Sequence, residues 1–319
     1  MWKRCSFFAC NGLLILYLLL RTSSLAHAEV YYVTVAGLGG EADYDKEFTS
    51  LALDLNRLLV AGGRDAHVDV LTGRDSTRAR FIEVLNKVAE NAKPTDDFVL
   101  VLIGHGTYDG IDYKFNLIGP DVTAAELARL CNRIPAGRQL IVNTTSSSGG
   151  SIVALEKRGR AVIAATKTGT EKNATVFAHY WIEALQDPAA DVDKNESITA
   201  LEAFQYATRK TAEFYESQKR LATEHPVFDD TGQHEPVRVP AADSGEGRLL
   251  SSFTLIRFGA TQKQFNDPAK RNLLAKKEEL ERQIDTLKYQ KAAMSQEDYK
   301  QQLTRALLAL ARVQAELDK

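Results

Sequence analysis

Two hydrophobic periods alternate along the first half of the chain. Runs of adjacent apolar, largely β-branched residues occur at 30–36, 67–71, 97–103, 139–142 and 161–165, and each reads as a strand. Between them apolar residues recur every three or four positions, as Leu51, Leu55 and Leu58 do within 48–59 and Phe81, Leu85 and Val88 within 76–92. A third such stretch, near 123–134, puts Leu127, Leu130, Cys131 and Ile134 on one face. This spacing predicts helices. Strands alternating with helices imply a mainly parallel sheet covered on both faces. The unbroken run Phe98-Val99-Leu100-Val101-Leu102-Ile103 is what a central, doubly buried strand requires. The expected fold class is therefore α/β.

Past residue 174 the pattern turns helical, with helices expected near 176–185 and 198–219. The stretch 225–248, with Pro226, Pro236 and Pro240 among acidic, glycine and serine residues, reads as an irregular surface loop. A short strand at 252–257 closes it and is a candidate sheet edge. The C-terminal segment changes character again. Leu273, Leu280, Ile284, Leu287 and Met294, and then Tyr299, Leu303, Ala306, Leu310, Val313 and Leu317, follow three-and-four spacing. Two coiled-coil-forming helices are expected. Ser295, with Asp298 three residues on, looks like a helix cap between them, so an antiparallel hairpin is expected rather than one rod. Asp267-Pro268 marks its start, and Lys277 and Lys291 interrupt its seam.

The first residues change the picture of compartment. Lys3 and Arg4 precede an apolar run at 7–20 and a small-residue site, Ala26-His27-Ala28, the pattern of a secretory leader. The run falls short of the roughly 20 residues of a membrane span. The expected organisation is a signal peptide at 1–28, an α/β domain at 29–260 and a helical hairpin at 267–319, in an exported protein, periplasmic or extracellular, that is not integral to a membrane. Cys5 and Cys10 belong to the leader, which leaves Cys131 without an internal partner and placed on an apolar helix face, a core position. With 40 basic against 42 acidic residues and a formal net charge of −2, nucleic acid is not an expected partner.

Two polar clusters follow apolar strands directly: Gly104-His105-Gly106, and Asn143-Thr144-Thr145-Ser146-Ser147-Ser148-Gly149-Gly150. Parallel sheets gather reacting groups at the carboxyl ends of their strands. Glycines beside the histidine allow close backbone approach and leave an amide able to donate to an oxyanion.

These two halves resemble the clan of caspases, metacaspases, legumains and gingipains, in which one apolar strand ends in His-Gly and a second in Asp/Glu-Ala-Cys-x-Ser-Gly. The resemblance covers about residues 30–258. It sets Thr144 on the acidic position, Thr145 on the alanine and Ser146 on the cysteine, with Ser148-Gly149 on the Ser-Gly pair. Gly37-Leu38-Gly39-Gly40, Tyr44 and Phe48 also look like a bacterial exported branch with caspase-like domains. The resemblance implies a caspase-like sheet, His105 and Ser146 as the catalytic-type pair, and the Gly106 amide as an oxyanion donor. It places Tyr108 and Asp109, with Thr166, Lys167 and Thr168, along a substrate groove. Asp109 either orients His105 or ends a turn with Gly110. A hydroxyl is a far weaker acid than a thiol and needs a well-placed base. One expectation is a non-catalytic binding or assembly module for a protein or peptide ligand. The alternatives are a hydrolase in which His105 deprotonates Ser146, and a scaffold whose C-terminal helices recruit partners or self-associate.

A separate motif at 191–202 has oxygen-bearing side chains at Asp191, Asp193, Asn195, Thr199 and Glu202, with Ser197 between them. Its spacing resembles an EF-hand calcium loop, in which a closing glutamate supplies two ligands and an apolar residue, here Ile198, anchors the loop. Glu196 stands where glycine is usual. Calcium is therefore the expected cofactor, against a plain acidic helix start capped by Ser197.

Overall fold

A computed structural model describes residues 28–61, 66–233, 235–241 and 244–319. The leader expected at 1–28 lies outside them, Ala28 excepted. The strand β1 (Val30–Ala36) feeds helix α1 (Ala42–Ala61), and β2 (Ala66–Leu71) leads to α2 (Arg78–Asn91) and on to β3 (Asp97–Ile103). A small antiparallel sheet follows, built from β4 (Gly106–Tyr108), β5 (Tyr113–Phe115) and β6 (Val122–Thr123). Then come α3 (Ala124–Arg133), β7 (Arg138–Asn143), the short α4 (Ile152–Leu155) and β8 (Arg160–Ala164). The second half holds α5 (Phe177–Ala184), β9 (Ser197–Thr199), α6 (Ala200–Ser217), β10 (Val227–Asp229), α7 (Arg248–Ser251) and β11 (Thr254–Arg257). Three helices end the chain, α8 (Gly259–Asn266), α9 (Arg271–Gln290) and α10 (Gln296–Leu317).

The main sheet has six strands in the order β10-β8-β7-β3-β1-β2, all parallel except β10. This is the caspase-like, mainly parallel arrangement expected of the α/β domain. Both faces are covered. Val99, Val101, Leu140, Val142, Ala161 and Ile163 join a core with α1, α5 and α6, while Phe98, Leu100, Leu102, Ile141 and Val162 join another with α2, α3 and α4. Residues two apart share a face, so the apolar run of β3 serves both cores at once. Cys131 is fully buried in the second core, and burial pushes its thiol up to about 11.

Several expectations about the second half need correction. The helix expected near 198–219 begins two residues later, because Ser197–Thr199 pairs as β9 with β11. The strand expected at 252–257 is that partner, in a separate two-stranded ribbon rather than at the edge of the main sheet. The edge is instead β10, which lies inside the stretch expected to be an irregular loop and pairs Val227 with Ala164. In the hairpin, α9 buries Leu274, Ile284 and Leu287, so its buried face runs through Leu274 rather than Leu273. The two helices pack on each other, Ser295 accepts from the Asp298 amide at 3.1 Å as the cap of α10, and Lys277 meets Glu281 at 3.8 Å. The pair does not stand apart from the α/β domain. A partly buried, bidentate Arg257–Glu278 interaction, at 2.6 and 3.0 Å, ties β11 to α9. No helix among the described residues is long and apolar enough to cross a membrane.

One polar tie in the core was not foreseen. The Arg160 guanidinium, 1% exposed, donates to Gln139 Oε1 at 2.9 Å, the Leu155 carbonyl at 2.9 Å and Asn132 Oδ1 at 2.8 Å, while Gln139 itself donates to the Cys131 and Ile134 carbonyls. Arg160→Met takes the donor from two buried acceptors, Gln139 Oε1 and the Leu155 carbonyl, and a stranded buried polar group costs about 1–3 kcal/mol. The expected loss is at least about 2 kcal/mol in urea unfolding, and an unchanged midpoint refutes this role.

Candidate functional site

Parallel registry brings the two polar clusters together. β3 and β7 run side by side from Asp97↔Arg138 to Leu102↔Asn143, and the Thr144 amide donates to the Leu102 carbonyl at 2.9 Å. Both strands therefore discharge their loops at one end of the sheet. The contact is backbone on backbone: a Cβ on Gly106 would stand 2.5 Å from the Ser146 carbonyl oxygen and 2.8 Å from Thr145 Oγ1, and would run into the Tyr113 ring. Only glycine allows that approach.

His105 sits where the strand order reverses, between the ends of β1 and β3, a usual place for ligands in open α/β sheets. Its ring meets Tyr44 and Phe48 of α1 edge-on, with centroids 4.7 and 5.0 Å away. Partial burial lowers its pKa from the ordinary histidine value, against the opposing pull of Glu47, the Gly39 carbonyl and Glu41. Gly39 is itself held, its amide donating to Asp45 Oδ1 at 2.7 Å. The fold thus favours a neutral imidazole, and acidification through the ordinary histidine range works against the folded state, since the unfolded chain takes up the proton first.

Ser146 is 2% exposed, and its hydroxyl is spent on Gly106. Oγ donates to the Gly106 carbonyl at 3.1 Å and accepts from the Gly106 amide at 3.1 Å. No hydrogen bond joins it to the His105 ring among the described residues. The same amide was expected to be the oxyanion donor. Asp109 does not reach His105 either. Its carboxylate accepts from the Asp112 and Ile111 amides at 2.9 and 3.0 Å, which hold its pKa down, and it lies 3.6 Å from Lys114. This is the turn alternative.

The expected groove residues are packed together. Tyr108 lies over Gly150 and Gly169, where any added Cβ would strike its ring, and its hydroxyl donates to the Gly110 carbonyl at 2.9 Å. Thr166 Oγ1 accepts from the Gly149 amide at 2.9 Å, and the Thr166 amide donates to Ser148 Oγ at 3.1 Å. Lys167 and Thr168 follow, with their backbone against Gly149. Beneath them Asn143, Thr145, Tyr113 and Ser151 form a buried hydroxyl and amide network, with Tyr113 to Thr145 at 2.7 Å and Asn143 to Ser151 at 3.0 Å. Ser147 is the exception: buried, left-handed at φ 58°, and with a hydroxyl that has no partner among the described residues. A cavity of about 250 Å³ opens beside the rim, lined among others by Phe48, Thr144, Thr175, His179, Tyr180 and Phe214.

Sequence reasoning missed the tie between the 166–175 loop and the segment before β10. His225 Nδ1 lies 2.7 Å from Glu171 Oε1, and the Glu171 carbonyl accepts from the Ser147 amide at 2.8 Å. No local pattern marks a pair so far apart in sequence.

In the acidic loop, carboxylate oxygens of Asp191, Asp193 and Glu202 lie within 4.8 Å of one another and could hold a metal ion. Lys194 and Glu196 take left-handed conformations at φ 61° and 63°, so Glu196 adopts the turn for which glycine is usual. Loss of hydration, then Glu202, push the Asp193 carboxyl up to about 6. Asn195 Oδ1 accepts from the Ser197 amide and hydroxyl at 2.8 and 2.5 Å. Ser197 is not the helix cap: Thr199 caps α6, in a capping box with Glu202.

No protein-family model matches the chain, and no curated protein does. Among the solved structures similar in arrangement are the following three. The protein GSU0716 of Geobacter sulfurreducens is 12% identical, with TM-score 0.44 over 73% of this chain and 99% of that one. The Drosophila initiator caspase Dronc is 15% identical, with TM-score 0.41 over 66% and 82%. Caspase-1 of Spodoptera frugiperda is 11% identical, with TM-score 0.46 over 64% and 87%.

The loop geometry makes opposite forecasts for two neighbouring positions. Ser147→Gly removes both the left-handed strain and the orphaned hydroxyl and is expected to stabilise by about 1 kcal/mol. Gly106→Ala forces the two loops apart and is expected to cost on the order of 1–3 kcal/mol. Urea midpoints that move together, or in the reverse sense, contradict this picture.

Proposed function

We propose that the chain is an exported, non-hydrolytic caspase-like module that binds a protein or peptide segment at the carboxyl rim of its sheet. The observation that carries this reading is the closed pair of hydrogen bonds between the Ser146 hydroxyl and the backbone of Gly106. A serine nucleophile has to offer its proton to a base, and the amide beside it has to be free for the oxyanion. Here one contact occupies both groups. The cavity beside the rim, smaller than a typical small-molecule site, suits a single side chain of a bound segment, with Phe48, Tyr180 and Phe214 as apolar walls.

A fluorophosphonate probe is expected to leave Ser146 unlabelled in the folded protein, and Ser146→Cys to gain no peptidase activity. Labelling that is lost in both Ser146→Ala and His105→Ala establishes the rival reading, a hydrolase in which His105 deprotonates Ser146.

The loop at 191–202 is proposed as a calcium site. Support comes from the spacing of its oxygen-bearing side chains and from three carboxylates converging behind a loop already turned at Lys194 and Glu196. Calcium relieves the mutual repulsion of Asp191, Asp193 and Glu202 and so stabilises the folded form. Excess calcium is expected to raise the melting temperature of the wild type and to leave Asp193→Asn unmoved. Equal shifts in both, or none in either, remove calcium from this loop.

The hairpin is a second surface for partners. Leu307 and Leu308 lie 48% and 56% exposed on α10, outside the seam with α9.

A further inference from the structure

At the opposite end of the sheet, the first described residues meet a buried acid. Asp96 is 1% exposed and accepts three hydrogen bonds, from the Lys93 amide at 2.8 Å, the Thr95 hydroxyl at 3.3 Å and the Glu29 amide at 3.1 Å. All three donors are neutral, and Asp96 forms no ion pair among the described residues. A carboxylate withdrawn from water without a countercharge is costly. The nitrogen it faces belongs to the residue that directly follows the small-residue site Ala26-His27-Ala28, and Ala28 is exposed.

We propose that removal of the leader after Ala28 supplies the missing charge: the new α-ammonium of Glu29 pairs with Asp96 and locks β1 into the sheet. The step is hydrolysis of the Ala28–Glu29 amide. Water supplies the hydroxyl that completes the Ala28 carboxyl group and the hydrogen that completes the Glu29 amine, which takes up a further proton at neutral pH. A bond from a neutral N–H to the carboxylate becomes an ion pair on the same two atoms, which adds the attraction of opposite unit charges in a site withdrawn from water. Glu29 is already held on its other sides. Its carbonyl accepts from the Asp97 amide at 2.9 Å, and its carboxylate lies 2.9 Å from His67 Nε2 and 3.2 Å from the Tyr31 hydroxyl. His67 stacks on Tyr31, with centroids 4.5 Å apart. The uncleaved chain lacks the charge, so processing strengthens the fold at the point where β1 enters the sheet.

The proposal rests on the export reading for the position of the cut, and it carries a pH signature. An unpaired α-amino group titrates near 7.7–8.0, and pairing with Asp96 raises that value. The added stability is therefore complete below the ordinary value and lost as pH rises through the raised one. The groups facing this point are Glu29 and Tyr31 on β1, His67 on β2, Lys93 and Asp96 before β3, and Asp97 on β3 with its partner Arg138 on β7. Tyr31, raised by burial and then by Glu29, titrates above this window.

The test compares two full chains, one released from a tag so that it begins at Glu29 and one that keeps Ala28 and a short tag. At about pH 7 the chain beginning at Glu29 is expected to melt higher by roughly 3 °C or more, and at about pH 9.5 most of that advantage disappears. In the Asp96→Asn background the two chains are expected to melt alike at both pH values, a comparison that holds even if the substitution itself lowers stability. Equal melting of the two wild-type chains at about pH 7, or a difference that survives Asp96→Asn, overturns the ion pair. N-terminal sequencing of the exported protein is expected to begin at Glu29. A different start overturns the processing step and leaves the melting result to judge the ion pair on its own.

Discussion

Everything at the carboxyl rim depends on one constraint, the in-register parallel pairing of β3 with β7. Both strands are buried on both faces, so neither can slip by a residue without turning its core side chains to the wrong layer. That fixes where each strand stops, and the two polar loops then meet with so little space between them that the backbone of Gly106 rests on Ser146. The interactions of that serine follow from the sheet. Its hydroxyl lies against a main chain whose position the core dictates, and the nearest donor and acceptor both belong to Gly106.

The fold was largely legible because its strongest signals are long and periodic. The apolar run of β3 announces a doubly buried strand, and the stripe Phe81, Leu85 and Val88 announces the face α2 presents to the sheet. Where the signal is short, tertiary pairing decides. Only Val227 and Phe228 mark β10, and His225-Pro226 and Asp229-Asp230 hide them, yet pairing with β8 makes a strand of them. Ile198 fits a helix face as well as a strand, and β11 settles the matter by drawing Ser197–Thr199 into a ribbon. In the hairpin the expected Ile284 and Leu287 are buried, while at its start α9 buries Leu274 in place of Leu273, because α9 packs on the α/β domain as well as on α10 and its apolar face answers to two neighbours.

The candidate site was legible in location and not in detail. Histidine-glycine after one strand and a serine-rich loop after another place both groups at one rim by topology alone. What the hydroxyl touches was hidden, since its partners are main-chain atoms that carry no sequence signal. The ring of His105 is similar in this respect: Tyr44 and Phe48 look like ordinary helix-face residues until α1 lays them edge-on against it. In the acidic loop the spacing of oxygens was readable, whereas the second duty of Glu202 in capping α6 appears only once Thr199 is seen to start the helix.

The isolation of Cys131 has a practical side. A thiol shut inside the core, next to the Gln139–Arg160 tie and held protonated by burial, is silent toward oxidants and alkylating reagents while the domain stays closed. Beyond residue 28 no other sulfhydryl competes with it. Any thiol modification beyond residue 28 therefore marks an excursion of the second core, which makes Cys131 a native reporter of how often the sheet and α3 come apart.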